Sequence, residues 1–145
     1  MSPLVRRFLK TAIGFLIFGV ALGVFMLARR ELAGAWATPW WVSAHTHAIL
    51  VGFVLMMILG VALWMFPRPA RDDTHFDPRL AEAAYWCIAL GTGVRVAGEL
   101  VRPATEAAAV RWAVVLGGAA QALGLVLFFY TMWTRIRGRP ENDRP

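Results

Sequence analysis

Cysteine and lysine are almost missing from this chain: Cys87 and Lys10 each stand alone among 145 residues. A lone thiol excludes a disulfide framework or a thiolate metal cluster within one chain. Cys87 lies in an apolar stretch and reads as a small buried residue. There is no Cys-x-x-Cys or Met-x-Met pattern of the soft ligands that copper(I) prefers, which weakens a copper-handling or transport reading. No Cys-x-x-Cys-His is present either, which argues against covalently attached haem. The chain also lacks a glycine-rich phosphate loop, a Ser/His/Asp set, internal repeats and low-complexity tracts. Negative charge is scarce, with nine acidic residues against fifteen basic ones and a net charge of +6. Such a balance can signal nucleic-acid binding. However, all the basic residues but Lys10 are arginines, and most flank apolar runs, which in a membrane protein is an orientation signal. No soluble face is evident to carry a basic patch, so no nucleic-acid partner is expected.

Apolar residues are abundant: 59% of the chain is hydrophobic, and its mean hydropathy is +0.56. About 20 residues of helix cross a hydrocarbon core of about 30 Å. Four segments meet that length, over 8–28, 43–66, 79–101 and 105–133. The third carries Arg95 and Glu99, and begins well at Asp77-Pro78, with proline in the first turn. The expected fold is all-α: an integral membrane four-helix bundle over residues 1–134, followed by a cytoplasmic tail over 135–145. Arg6, Arg7 and Lys10 before the first segment resemble a signal peptide. That segment is too long for a signal core, and Arg29-Arg30 follows it in place of a small-residue cleavage site, so it is expected to be retained.

Loop charges set the orientation. One side receives Arg6, Arg7, Lys10, Arg68, Arg71, Arg79, Arg135, Arg137, Arg139 and Arg144, and the other receives Arg29, Arg30, Arg102 and Arg111. Both termini and the polar turn 70–77 are therefore expected in the cytoplasm, in a multi-pass protein of a bacterial-type inner membrane. Trp36, Trp40, Trp41 and Trp112 fall at the outer interface, and Trp64, Trp86 and Trp133 near the inner one, as an aromatic belt requires. The tryptophan-rich segment 29–42 is expected to lie on the membrane surface.

The chemistry concentrates in Ser43-Ala44-His45-Thr46-His47-Ala48-Ile49-Leu50-Val51-Gly52-Phe53. Ionisable residues inside a span face protein, a cavity or a cofactor, and histidine is a common axial ligand of haem iron. Residues two apart on a helix point about 200° apart, so His45 and His47 cannot both ligate one metal from one helix. The His45 side continues through Ala48, Ile49, Gly52, Met56 and Gly60, small enough for a flat macrocycle to approach. The His47 side continues through bulkier Val51, Val54 and Ile58. The alternative is structural, with each imidazole bonding a neighbouring carbonyl or interfacial water.

The stretch from His45-Thr46-His47-Ala48-Ile49 through Met65-Phe66-Pro67-Arg68 resembles the second helix of the catalytic subunit of haem–copper oxidases and nitric oxide reductases. Members close to the C-family oxidases carry a similar His-Thr-Asn-Ala start, whose histidine ligates the low-spin haem. The His-x-His spacing is similar to that of the family's tenth helix, where one histidine faces each of two haems. The family subunit has twelve helices in three four-helix arcs, so this chain has the size of one arc. The resemblance covers about 25 residues well and the rest in layout only. It implies a non-covalent haem b, with His45 and His47 as iron ligands and Gly52 and Met56 beside the macrocycle. It also departs from the pattern: no further intramembrane histidine supplies copper ligands, and the family's tyrosine–histidine cross-link has no counterpart. His75 reads as a solvated loop residue.

Arg95 and Glu99 are four apart on one helix face and can pair. They either form a self-neutralising pair that snorkels to the interface, or place Arg95 at a haem propionate with Glu99 fixing it or serving as a proton site. Gln121 is expected to make an interhelical hydrogen bond. Gly19-x-x-x-Gly23, Gly91, Gly93 and Gly98 permit close helix contacts, within the chain or between protomers. Because the two histidines point apart, a bis-histidine haem needs a second chain. This implies a homo-oligomer, a trimer echoing three arcs or a dimer, with an electron-transfer or gas-handling role and a redox partner or respiratory complex. If the chain is an enzyme, it is a haem-dependent oxidoreductase. The competing reading is a cofactor-free accessory or assembly subunit of a respiratory membrane complex. For the orientation, a reporter fused after Arg139 is expected to be active only in the cytoplasm, and periplasmic activity there would refute the topology.

Overall fold

In the computed structural model, which describes residues 1–66 and 77–136, four helices carry the chain. They are α1 (Pro3–Ala33), α2 (Pro39–Met65), α3 (Pro78–Val101) and α4 (Ala108–Met132). Short 3-10 turns follow α3 (Arg102–Ala104) and α4 (Trp133–Ile136). No strand occurs among the described residues. Helices α1, α2 and α4 are long and apolar enough to cross a membrane. The turn 70–77 other than Asp77, with His75, and the tail beyond residue 136 lie outside the described residues.

Caps, not the limits of the apolar runs, set the helix ends. The Ser2 side chain accepts from the Val5 N–H and Pro3 opens α1, which supplies a donor-satisfying cap and a preset φ. At the far end Gly34 adopts φ 62°, and its N–H reaches the Arg30 carbonyl, a left-handed stop that glycine takes without a Cβ penalty. Helix α1 therefore runs 31 residues, well past the expected 8–28, because the arginine-bearing turns at both ends continue it. Thr38 caps α2 and Pro39 opens it. The tryptophans of 39–42 are thus its first turn, not part of a surface loop, and the connection shrinks to 34–38. Asp77 caps α3 as expected. Helix α4 begins at Ala108, later than expected, because Thr105 is extended and its hydroxyl accepts from the Ala107 N–H.

The helices alternate in direction. Arg135 donates to the carbonyls of Leu63 and Phe66, and Arg7 pairs with Glu82. The start of α1, the end of α2, the start of α3 and the end of α4 thus share one end of the bundle. That end holds the main core. Phe8 and Ala12 of α1 meet Met56 and Leu59 of α2, Ala84, Tyr85 and Ile88 of α3, and Phe128 and Met132 of α4. Phe8 stands edge-on to Tyr85 at 5.1 Å and to Phe128 at 6.0 Å, the geometry ring quadrupoles favour. At the other end a smaller cluster joins Ala44 and Ala48 to Val96. Large apolar side chains such as Ile17, Val24, Leu116 and Val126 point outward, so the exterior is oily along its length.

Glycine sets how closely the helices approach. A Cβ at Gly91 would lie 2.8 Å from the Gly117 carbonyl oxygen, and one at Gly117 would lie 2.8 Å from the Arg95 nitrogen. Helices α3 and α4 therefore touch backbone to backbone. Gly98 faces Val114, and Gly19 and Gly23 face Ile49 and His45 of α2, whereas Gly93 has nothing within 4 Å. Four of the five singled-out glycines thus serve packing within the chain. Gly91→Val is expected to cost about 1–3 kcal/mol by overpacking, read as a lower melting temperature in detergent. Gly93→Ala should leave it unchanged or raise it slightly.

Candidate functional site

Helix α2 carries the site because Pro39 starts it early. His45 and His47 are the sixth and eighth residues after Pro39, so they lie deeper in the helix than the expected start at residue 43 would place them. They point to opposite sides, as their spacing requires. His45 turns toward α1, where its Nδ1 lies 2.9 Å from the Gly19 carbonyl oxygen. A Cβ at Gly23 would come within 2.8 Å of the His45 Cε1. The Gly19-x-x-x-Gly23 groove is therefore what lets an imidazole reach a helix backbone.

His47 turns toward α3, with its Nδ1 2.8 Å from the Ser43 carbonyl oxygen and 3.4 Å from the Glu99 Oε2. A carbonyl can only accept, so Nδ1 is the donor of each imidazole, and a neutral ring then carries its lone pair on Nε2. Glu99 is 1% exposed. Its Oε1 accepts from the Ser43 hydroxyl at 2.9 Å and from the Arg95 Nε at 3.0 Å. Its Oε2 is buried without a hydrogen-bond partner among the described residues. Arg95 donates onward to the Gln121 Oε1 at 3.3 Å, Gln121 to the Thr92 hydroxyl at 3.0 Å, and Thr92 to the Ile88 carbonyl at 2.7 Å. The polar run Ser43–Glu99–Arg95–Gln121–Thr92 thus ties α2, α3 and α4 together inside an apolar bundle. Burying such groups is tolerable because nearly every donor and acceptor is matched.

The Arg95–Glu99 pair expected from their spacing and the interhelical hydrogen bond expected of Gln121 are both present. Ser43 and Thr92 were not anticipated. Ser43 stands one turn before His47, which is the signal that could have found it. The small-residue row of the His45 side has a neighbour the sequence does not reveal. Phe15 of α1 covers Gly52, whose Cβ would fall 2.4 Å from the ring; Phe8 and Leu9 cover Gly60; and Met56 enters the main core. Helix α1 occupies that row, so within one chain it is not open to a flat ligand.

Immediately after His47 the helix widens into a π-helical stretch, Ala48–Leu55. The Met56 N–H closes it on the Val51 carbonyl, five residues back. The row Ala44, Ala48, Gly52, Met56 and Gly60 is buried along its length, although its members are four apart. In an α-helix a step of four overshoots one turn by about 40°. Four such steps would swing Gly60 about 160° away from Ala44. The wider π turn takes more than four residues, so the same step falls short and brings the row back toward α1. Such insertions are frequent at functional sites.

The rim beyond the histidines is cross-tied. The Trp41 Nε1 donates to the Leu100 carbonyl at 3.1 Å, and Arg102 stacks over Trp40 at 4.8 Å. Glu106 accepts from Arg111 at 2.7 Å and from Arg102 at 3.3 Å. Those two guanidiniums, Arg111 foremost, hold its carboxyl below the usual carboxylate range. Among the described residues, no group of three or more His, Cys, Asp or Glu gathers to hold a metal ion.

No protein-family model, curated protein or solved structure matches the chain. Removing one member of a buried ion pair leaves the other charge stranded. Arg95→Leu is therefore expected to destabilise the protein by about 3 kcal/mol, and Arg95→Leu with Glu99→Leu to recover most of it. Chemical denaturation in mixed micelles measures both. A single variant as stable as wild type would mean that Arg95 snorkels without neutralising Glu99.

Proposed function

We propose that this chain is a membrane haem b protein, related to one arc of the haem–copper oxidase catalytic subunit, with an electron-transfer or gas-handling role. It holds each haem between protomers, with His45 of one copy and His47 of the next as axial ligands. One observation supports this reading above the others: the Nδ1 of each imidazole is spent on a backbone carbonyl. Metal-ligating histidines characteristically use one ring nitrogen in this way, which fixes the tautomer and leaves the other for the metal. The donor set therefore fits an iron ligated by two neutral imidazoles. The opposed directions of the two rings favour ligands drawn from two copies in a closed ring, of three or of two. Haem would supply reversible one-electron chemistry or a gas-binding iron. The residues here orient the imidazoles: Gly19 and Gly23 admit the His45 ring, Phe15 on Gly52 and the packing of Met56 fix α2 against α1, and the Ser43 carbonyl holds His47.

The same reading has four spans and both termini in the cytoplasm of an inner membrane. Helix α3 at 24 residues is about 36 Å long, enough to cross. Its intramembrane charges are matched to each other and to Ser43 and Gln121. The loop arginines supply the orientation. A second reading, a cofactor-free accessory subunit of a respiratory complex, is favoured by the way α1 fills the row of small residues through Gly52 and Gly60.

Absorption spectroscopy of the purified protein separates the two. A Soret band with sharp alpha and beta bands on reduction is expected, with about one haem per chain in a ring. His45→Ala and His47→Ala should each abolish or convert that spectrum. A colourless preparation would favour the accessory reading. A haem-loaded monomer in native mass spectrometry, or a His47 variant with unaltered haem, would sink the shared site.

A further inference from the structure

On the side of α2 away from the Arg95–Glu99 pair, His45 stands at an opening. A cavity of about 290 Å³ lies between the end of α1, the 34–38 connection and the start of α2, lined by Gly23, Met26, Arg30, Trp36, Val42 and His45. Its walls are apolar, its polar side chains are one imidazole and one guanidinium, and it sits at the end of α1 where the arginines cluster. Arg30 uses its Nε on Glu31 at 2.7 Å, and its guanidinium carbon lies 5.5 Å from the centre of the Trp36 ring. Its two terminal nitrogens have no partner among the described residues. Arg95, by contrast, lies on the far side of α2 and is already engaged by Glu99 and Gln121.

We propose that Arg30 is the carboxylate-binding residue of the His45 half-site and takes a propionate of the haem whose edge enters this cavity. The inference rests on the haem reading above. The chemistry is specific: a flat apolar ring needs the Met26, Trp36 and Val42 walls, its iron needs a bare imidazole nitrogen, and its acidic edge needs a planar cation near the water boundary. Guanidinium nitrogens match a carboxylate's two oxygens. Sites for drug-sized ligands commonly run about 300–1,000 Å³, so one chain offers part of a haem site and the partner copy completes it. Trp36, with its ring centre 5.5 Å from the guanidinium carbon, adds a cation–π contact beside the cavity.

The test uses the full-length protein in detergent, loaded with haem b. Arg30→Leu, Arg30→Lys and, as a control, Arg29→Leu are compared for haem release to an apo-globin acceptor and for midpoint potential. Arg29 stacks on Phe25 and Trp41 instead. Arg30→Leu is expected to release haem about tenfold faster, the loss of one charge-assisted contact. It should also lower the midpoint potential, because the oxidised haem, with one more positive charge, is destabilised by a nearby cation. Arg30→Lys should fall between, and Arg29→Leu should match wild type. Wild-type release and potential in Arg30→Leu, with haem still bound through His45, would overturn this assignment and leave the haem reading standing. Wild-type protein that takes up no haem would overturn both.

Discussion

A carboxylate sealed inside an apolar bundle must find a countercharge or give up its own, and Glu99 finds Arg95 one helical turn away. The half of the bundle that holds the histidines is arranged around that match. Ser43 brings α2 to the carboxylate, Gln121 brings α4 to the guanidinium, and Thr92 satisfies the glutamine amide. In water such a pair contributes little. Where hydrocarbon surrounds the helices, the alternative to pairing is an unsolvated charge, so the pair dictates where α2 and α4 sit on α3. Ser43, which the carboxylate engages through its hydroxyl, is also the residue whose carbonyl fixes His47.

The two ends of the bundle are held by different forces. Around Phe8, Tyr85 and Phe128, packed rings and sulfur-bearing side chains supply dispersion, with the Thr11–Tyr85 hydrogen bond at its edge. Around the histidines the contacts are short polar bonds made possible by small residues: Gly19 and Gly23 for His45, Gly91 and Gly117 for the α3–α4 approach. Between the two ends lies the π-helical stretch of α2. It lets one helix present a four-residue repeat to α1 without twisting away from it, and so serves both ends at once.

Helices α1, α2 and α4 were legible because hydrophobic length is a coarse and reliable signal, and α3, which carries Arg95 and Glu99, was legible from its start at Asp77-Pro78. The ends of α1 were not, since hydropathy marks where a helix is oily and Ser2 and Gly34 mark where it stops. Trp40 and Trp41 were misread as surface loop because interfacial tryptophans suit either a loop or a first helical turn; Thr38-Pro39 was the cap signal that decides. Of the candidate site, the opposition of His45 and His47 and the pairing of Arg95 with Glu99 follow from helical period alone. That helix α1 would fill the Gly52 face could not be read, because a row of small residues invites a macrocycle and a neighbouring helix equally. The π stretch left no proline or glycine pair to announce it.

The length of α1 has a further meaning once a bilayer is considered. Arg6 and Arg29 are 23 positions apart, about 35 Å along the axis, slightly more than the hydrocarbon thickness. The helix is therefore a ruler whose charged marks seek the two headgroup layers. Gly19, whose carbonyl ties His45, lies about 15 Å along the axis from the Arg29 mark. The imidazole is moored to that ruler, so its immersion follows the lipid: in a thicker leaflet α1 stands upright and the ring sinks, and in a thinner one α1 tilts and the ring rises toward water.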